Sequence, residues 1–135
     1  MLRRYWPAFD IEPLWQARQG RVPDAGDWVV FDPRTDPLAL ARACAAGDVV
    51  LDLAGPVPGP GRKTDSFTAI PALARAVGHG ARGKPLLWAS SAAVYGARAL
   101  CAETDPLSPM NAYGRAKVQA EQVLSDMAGV CRLRI

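Results

Sequence analysis

The sequence predicts an α/β fold in which a doubly wound parallel sheet is flanked by helices. The chain has 135 residues, the size of a single domain. Its short β-branched runs end in Gly, Pro or Asp, as strands do. Segments with helical spacing lie between those runs. This alternation of strand and helix is typical of parallel sheets with right-handed crossovers and helices on both faces.

Five short apolar runs predict the strands of this sheet. Several are apolar at nearly every position, which suits strands covered on both faces. In open sheets of this kind, ligands bind beyond the carboxyl ends of the strands. The runs cover residues 11–18, 28–32, 48–55, 84–90 and 130–135.

Two helices have clear boundary signals. In the first, Asp36 is the expected N-cap, Pro37 takes the first helical position and Gly47 follows the end. The second spans residues 111–129, where Gly129 closes a helix with one broad apolar face. That face comprises Ala112, Ala116, Ala120, Val123, Leu124 and Met127.

A further helix is predicted between the runs at 48–55 and 84–90. Thr64 or Asp65 is the expected cap, and Gly78 is the expected end. Pro71 lies inside this segment and predicts a kink, because proline removes one backbone hydrogen bond of a helix.

Composition narrows the possible functions. The net charge is +3, but the arginines are dispersed, which argues against a nucleic-acid interface. Cys44, Cys101 and Cys131 lack the spacing of a disulfide framework or a zinc site, so no metal is expected. His79, in a glycine-rich turn, receives no role. Neither a signal peptide nor a membrane-spanning run is recognisable, which predicts a cytoplasmic protein without membrane attachment.

Tyr113 and Lys117 form the first candidate for chemistry. Their i, i+4 spacing places both side chains on one face of the predicted helix. A phenol titrates near ~10, and a neighbouring ammonium favours its ionised form. The pair predicts a general acid/base, and a half-buried tyrosine beside a solvated lysine is the alternative. Ser90 and Ser91 follow the run at 84–90, where ligands are expected, and Ser91 would hydrogen-bond a carbonyl oxygen held by Tyr113.

Three stretches resemble a known family. LLWASSAAVYG (86–96) and ETDPLSPMNAYGRAKVQAEQVL (103–124) are similar to the extended short-chain dehydrogenase/reductase family, the NAD-dependent epimerase/dehydratase group. That family places a serine segment and a Glu-x-x-Pro-x-x-Pro stretch before a Tyr-x-x-x-Lys helix. GDVVLDLAG (47–55) resembles its fourth strand. The resemblance implies a Rossmann-like domain that binds NAD(P).

The resemblance also implies residue roles. Tyr113 would be the acid/base, Lys117 would support it and bind the nicotinamide ribose, and Ser91 would orient the reacting oxygen. Ser91 and Ala92 would contact substrate, and Asp32 would contact adenine. The implied cofactor-binding residues are Arg18, Asp32, Leu53, Ala54, Gly55, Ser90, Tyr113 and Lys117.

Some residues depart from the family pattern. The Gly-x-x-Gly-x-x-Gly fingerprint is missing, so residues 1–135 are expected to be a partial NAD(P)-binding domain. Residues 1–9 would end the helix after the missing first strand and glycine-rich loop, and the C-terminal substrate domain would also be absent. Ala92 and Ala93 replace an acidic pair of the dehydratases, which argues for epimerase or reductase chemistry. Arg18 stands where an acidic residue would indicate NAD, and so favours NADP unless it is simply a surface arginine.

The predicted function is that of an NAD(P)-dependent epimerase or reductase. It would transfer hydride reversibly between nicotinamide and a carbinol or carbonyl carbon of a small molecule, with a nucleotide sugar as one candidate. The family implies a homodimer for the complete enzyme. Two alternatives remain: a non-catalytic NAD(P)-binding or scaffold module, and a truncated chain without activity.

Overall fold

The computed structural model of the chain describes residues 13–17, 27–61 and 63–135. Two sequence predictions lie outside these residues. They are the end of a helix at 1–9 and the cofactor contact of Arg18.

The described strands form two parallel ladders. Strand β1 (Leu14–Ala17) pairs with β2 (Asp27–Val30). In the second ladder, β4 (Leu86–Ser90) lies between β3 (Val50–Asp52) and β5 (Val130–Arg134). Every pairing is parallel, as the alternation of strands and helices predicted. The carboxyl ends of β3, β4 and β5 therefore lie at the same edge of their sheet.

Within the part of the chain that the structure describes, three α-helices connect the strands. Helix α1 spans Pro37–Ala46, α2 spans Ile70–Gly80 and α3 spans Ala112–Val123. The predicted cap of α1 is confirmed, because the Asp36 side chain accepts a hydrogen bond of 2.8 Å from the Ala39 amide. None of the helices among the described residues is long and apolar enough to cross a membrane.

The helix predicted between the runs at 48–55 and 84–90 is divided in the structure. Thr64–Phe67 forms a short 3₁₀ helix without a side-chain cap, so the predicted cap by Thr64 or Asp65 is wrong. The predicted kink is also wrong, because Pro71 lies in the first turn of α2, where its missing N–H costs no helical bond. Nor does α2 end at Gly78. A Cβ there would lie 2.8 Å from Leu124 Cδ2, so Gly78 permits close packing against the neighbouring segment.

Helix α3 is shorter than predicted but presents the expected face. It ends at Val123, and the chain turns through Gly129, whose φ of 78° favours glycine. Ala116, Ala120 and Leu124 are buried. They pack in one core with α2 and with Leu86 and Trp88 of β4. Because small residues dominate this face, α3 lies close to the central strand and carries its polar residues to the strand's end.

Candidate active site

A cleft of about 200 Å³ lies at the carboxyl ends of β3 and β4. The loop that follows β3 forms one wall. The end of β4 and the first turns of α3 form the other, and Ile135 after β5 also contributes. Six of the residues predicted from the sequence line it together: Leu53, Ala54, Gly55, Ser90, Tyr113 and Lys117.

Tyr113 and Lys117 occupy adjacent turns at the start of α3. The Asn111 side chain begins the helix by accepting a hydrogen bond of 2.8 Å from the Gly114 amide. Tyr113 and Lys117 are only 8% and 5% exposed, and Lys117 Nζ lies 5.7 Å from the centroid of the tyrosine ring. The Phe67 ring meets Tyr113 edge-on, with centroids 5.3 Å apart. The lysine is therefore buried beside the tyrosine. The alternative drawn from the sequence, a half-buried tyrosine beside a solvated lysine, had the lysine in solvent instead.

The Lys117 ammonium is held against the central strand. Its Nζ donates a hydrogen bond of 2.7 Å to the Ala89 carbonyl oxygen and lies 4.5 Å from the centroid of the Trp88 ring. Burial lowers the pKa of Lys117, while the charges of Asp52 and Glu121 raise it in part. The two carboxylates thus favour the charged form of Lys117.

Asp52 is a site residue that the sequence analysis missed. It ends β3 opposite Trp88, and its carboxylate accepts a hydrogen bond of 3.1 Å from the Ala54 amide. Burial raises the pKa of Asp52, and the Ala54 amide, the Lys117 charge and a Trp88 hydrogen bond partly offset this effect. The available signal was one acidic residue inside an otherwise apolar strand.

Glu121 is a second residue that was missed. It is 3% exposed, and its Oε1 accepts a hydrogen bond of 2.5 Å from Ser90 Oγ. Arg134 of β5 donates to both of its carboxylate oxygens, at 3.0 and 2.7 Å. Burial would raise the pKa of Glu121, but Arg134 and Ser90 stabilise its charge and leave the pKa below its ordinary value. Its spacing from Lys117, again i, i+4, was the signal in the sequence.

Ser91 and Ala92 lie beside the cleft, outside its lining residues. Ser91 begins the 3₁₀ helix Ala92–Tyr95, and its Oγ accepts a hydrogen bond of 3.3 Å from the Ala93 amide. The Ala92 amide donates a bond of 2.9 Å to the Ile135 carbonyl oxygen. The wall itself thus contains Ser90 rather than the serine predicted to orient the substrate.

Asp32 follows β2 and is also absent from the cleft lining. Its carboxylate is paired with Arg34, whose Nη2 lies 2.5 Å from Oδ2. Within residues 13–17, 27–61 and 63–135, no group of three or more His, Cys, Asp or Glu residues is arranged to hold a metal ion.

Comparison with known proteins defines the class of this fold and site. Residues 16–135 match the NAD dependent epimerase/dehydratase family, and the chain therefore belongs to that family. The resemblance read from the sequence motifs is confirmed. Comparison with curated proteins finds no match.

Solved structures in this class share the fold. The chain is similar to WbmG from Bordetella bronchiseptica in complex with NAD and UDP, with 22% identity, a TM-score of 0.79, and coverage of 98% of this chain and 48% of that one. It is also similar to UDP-glucose 4-epimerase from Brucella ovis in complex with NAD, with 21% identity, a TM-score of 0.77, and coverage of 96% and 45%. The chain spans about half the length of these structures, and at this identity the likeness shows the Rossmann-like fold alone.

Proposed function

We propose that this chain provides the dinucleotide-binding and acid/base part of an NAD(P)-dependent epimerase or reductase. The reaction is reversible hydride transfer between nicotinamide and a carbinol or carbonyl carbon of a small molecule, with a nucleotide sugar as the first candidate. The observation that carries the proposal is that Tyr113 and Lys117 are both buried in the wall of one cleft at the end of β4. Family membership and similarity to nucleotide-sugar enzymes support the substrate class.

In the proposed reaction, Tyr113 exchanges a proton with the substrate oxygen. A phenol that is buried in a cleft and lies near an ammonium is suited to general acid/base work. Lys117 supplies that ammonium, and its bond to the Ala89 carbonyl sets its position. In the proposed complex, Lys117 Nζ would also donate to the ribose hydroxyls. The bound dinucleotide supplies the hydride acceptor and donor.

The opposite wall has properties that suit the dinucleotide. Leu53 and Val57 are large apolar residues that are 50% and 59% exposed, although they line the cleft. Gly55 has a φ of 143°, and a Cβ there would meet no atom within 4 Å, so its backbone borders open space. An apolar wall facing a buried ammonium fits the nicotinamide and ribose portion of NAD(P).

Ser91 enters the proposal as the residue that orients the reacting oxygen, with Ala92 beside it. Its Oγ accepts a hydrogen bond from Ala93, which leaves its own proton available for a substrate oxygen. Asp32 is proposed as the adenine contact and Arg18 as the group that favours NADP over NAD. For the complete enzyme we further propose a cytoplasmic homodimer without membrane attachment. The dispersed arginines argue against nucleic-acid binding.

Replacement of Tyr113 by Phe tests this function. The purified protein and the variant are incubated with NAD or NADP and a panel of UDP-hexoses and ketones, and formation or consumption of NAD(P)H is followed. The Tyr113→Phe variant removes only the hydroxyl, so turnover falls by about 10²- to 10⁴-fold while the thermal midpoint changes little.

Undiminished turnover of Tyr113→Phe contradicts the proposed role. Binding of NAD(P) without turnover of any compound in the panel favours a non-catalytic binding module instead. Absence of both binding and turnover favours an inactive chain.

A further inference from the structure

Three buried residues follow one another along a single row of α3. Tyr113, Lys117 and Glu121 are separated by four residues each, so they share one helix face. The proposed reaction uses the first two. Glu121 is the most deeply buried of the three, and a carboxylate buried to this degree has to be paired.

The last two residues of β4 bind this row of α3. The Ala89 carbonyl accepts from Lys117, and the Ser90 hydroxyl donates to Glu121. Two consecutive strand residues therefore bond two consecutive turns of the helix. Since Ser90 lines the cleft, the bond to Glu121 determines how its hydroxyl is oriented at the wall.

Arg134 extends this arrangement to further elements. It lies opposite Ser90 in the β4–β5 register and donates to both oxygens of Glu121. Its Nη1 donates to Tyr95 Oη at 2.6 Å and to the Glu103 carbonyl oxygen at 3.0 Å. Glu121 and Arg134 thereby connect α3 and the ends of β4 and β5 to the 3₁₀ helix Ala92–Tyr95 and the segment that follows it.

We propose that Glu121, held by Arg134, is a positioning residue of the proposed active site, which orients the Ser90 hydroxyl and places a negative charge behind Lys117. This inference rests on the proposed function. It goes beyond it by assigning a role to a residue that does not line the cleft.

The charge of Glu121 acts on the pKa of Lys117 in one direction. The groups that face Lys117 are Asp52 of β3, Tyr113 and Glu121 of its own helix, and, behind Glu121, Arg134 of β5. The carboxylates of Asp52 and Glu121 raise the pKa of Lys117 against the effect of burial. Replacing Glu121 with Gln removes one of these charges and leaves Arg134 unneutralised, and both changes lower the pKa of Lys117 further.

Titration of the lysine side chains by NMR measures this effect without requiring activity. The sequence has lysine only at positions 63, 84 and 117, so three signals are expected and Lys117→Met assigns the third. In Glu121→Gln, the Lys117 inflection moves to lower pH by about one unit. Asp126→Asn, which removes an exposed carboxylate beyond the end of α3, is the matched control and leaves the inflection in place.

Kinetics provide the second measurement. In Glu121→Gln, kcat falls by about tenfold to a hundredfold because the wall is misplaced. The basic limb of its pH profile moves in the same direction as the NMR inflection. Replacing a residue that only stabilised the fold would shift neither the NMR inflection of Lys117 nor the basic limb of the pH profile.

An unchanged Lys117 inflection in folded Glu121→Gln overturns the proposal, even if Tyr113→Phe confirms the proposed function. If instead Tyr113→Phe remains fully active, the proposed function is wrong, and the NMR titration still decides whether Glu121 sets the charge of Lys117. Should Glu121→Gln fail to fold, Ser90→Ala replaces it, with Ser66→Ala, a half-buried serine outside the cleft lining, as control. Loss of kcat with an unchanged inflection in Ser90→Ala supports the proposal, and full kcat overturns it.

Discussion

The two walls of the cleft are built in opposite ways. The wall formed by β4 and α3 consists of buried residues, and two of them are hydrogen-bonded: Ser90 to Glu121 behind the wall, and Lys117 to the Ala89 carbonyl oxygen. The wall formed by the loop after β3 carries exposed apolar side chains. Its Ala54 amide donates a hydrogen bond to the Asp52 carboxylate at the end of β3. The first wall has its geometry before any ligand binds. The second has apolar surface that a ligand would cover, which is typical of a binding surface.

The largest effect on stability is expected from the ion pair behind the first wall. Arg134→Met leaves the buried Glu121 carboxylate without its charged partner, which costs about 3–5 kcal/mol of unfolding free energy. Arg98→Met breaks an exposed pair with Asp105, which is worth at most about 1 kcal/mol. Urea unfolding of both variants measures the difference. Equal losses would show that the first wall does not depend on the buried pair.

A smaller effect is expected from the packing beneath the same wall. In Gly78→Ala, the added methyl group meets the side chains of Leu124 and Met127, and the resulting overpacking costs about 1–3 kcal/mol. Gly59 lies in the loop after β3, where a Cβ would meet no atom within 4 Å. Gly59→Ala therefore changes stability by less than about 1 kcal/mol. A thermal midpoint that falls equally in both variants would contradict the contrast between a packed wall and an open one.

The smallest effect on stability is expected on the second wall. Val57→Ser changes the unfolding free energy by less than about 0.5 kcal/mol, because this side chain is exposed and packs little. If the wall binds dinucleotide, the same change weakens NAD(P) binding by a few-fold, since about one or two methyl groups of contact are lost. Fluorescence titration with NADH and NADPH measures this loss. Unchanged affinity together with a large loss of stability would mean that Val57 supports the fold instead.

Much of the fold could be predicted because its signals are local. The cap of α1 by Asp36 depends on residues three apart, and the apolar face of α3 depends on helical spacing. The errors occurred where a distant segment decided the outcome. Gly78 reads as a helix end, yet it lies inside α2, where the Leu124 and Met127 side chains occupy the space that glycine leaves.

The residues of the candidate site also divide into those with a local sequence signal and those whose role depends on distant segments. The family motif named Tyr113 and Lys117, because their spacing along one helix and the serine segment are visible in the sequence. Asp52 and Glu121 were missed. Each looks like a single acidic residue within its own element, and its importance comes from Lys117, Ser90 or Arg134 in other elements.

The sequence by itself determined the family, the parallel α/β order of elements, and the presence of a tyrosine and a lysine one helical turn apart. Only the tertiary structure decided that Ser90 rather than Ser91 lines the cleft, and that Glu121 and Arg134 stand behind Ser90. The physical reason is that periodicity and capping act within a few residues of the chain, whereas burial, ion pairing and the orientation of a hydroxyl depend on elements brought together by folding.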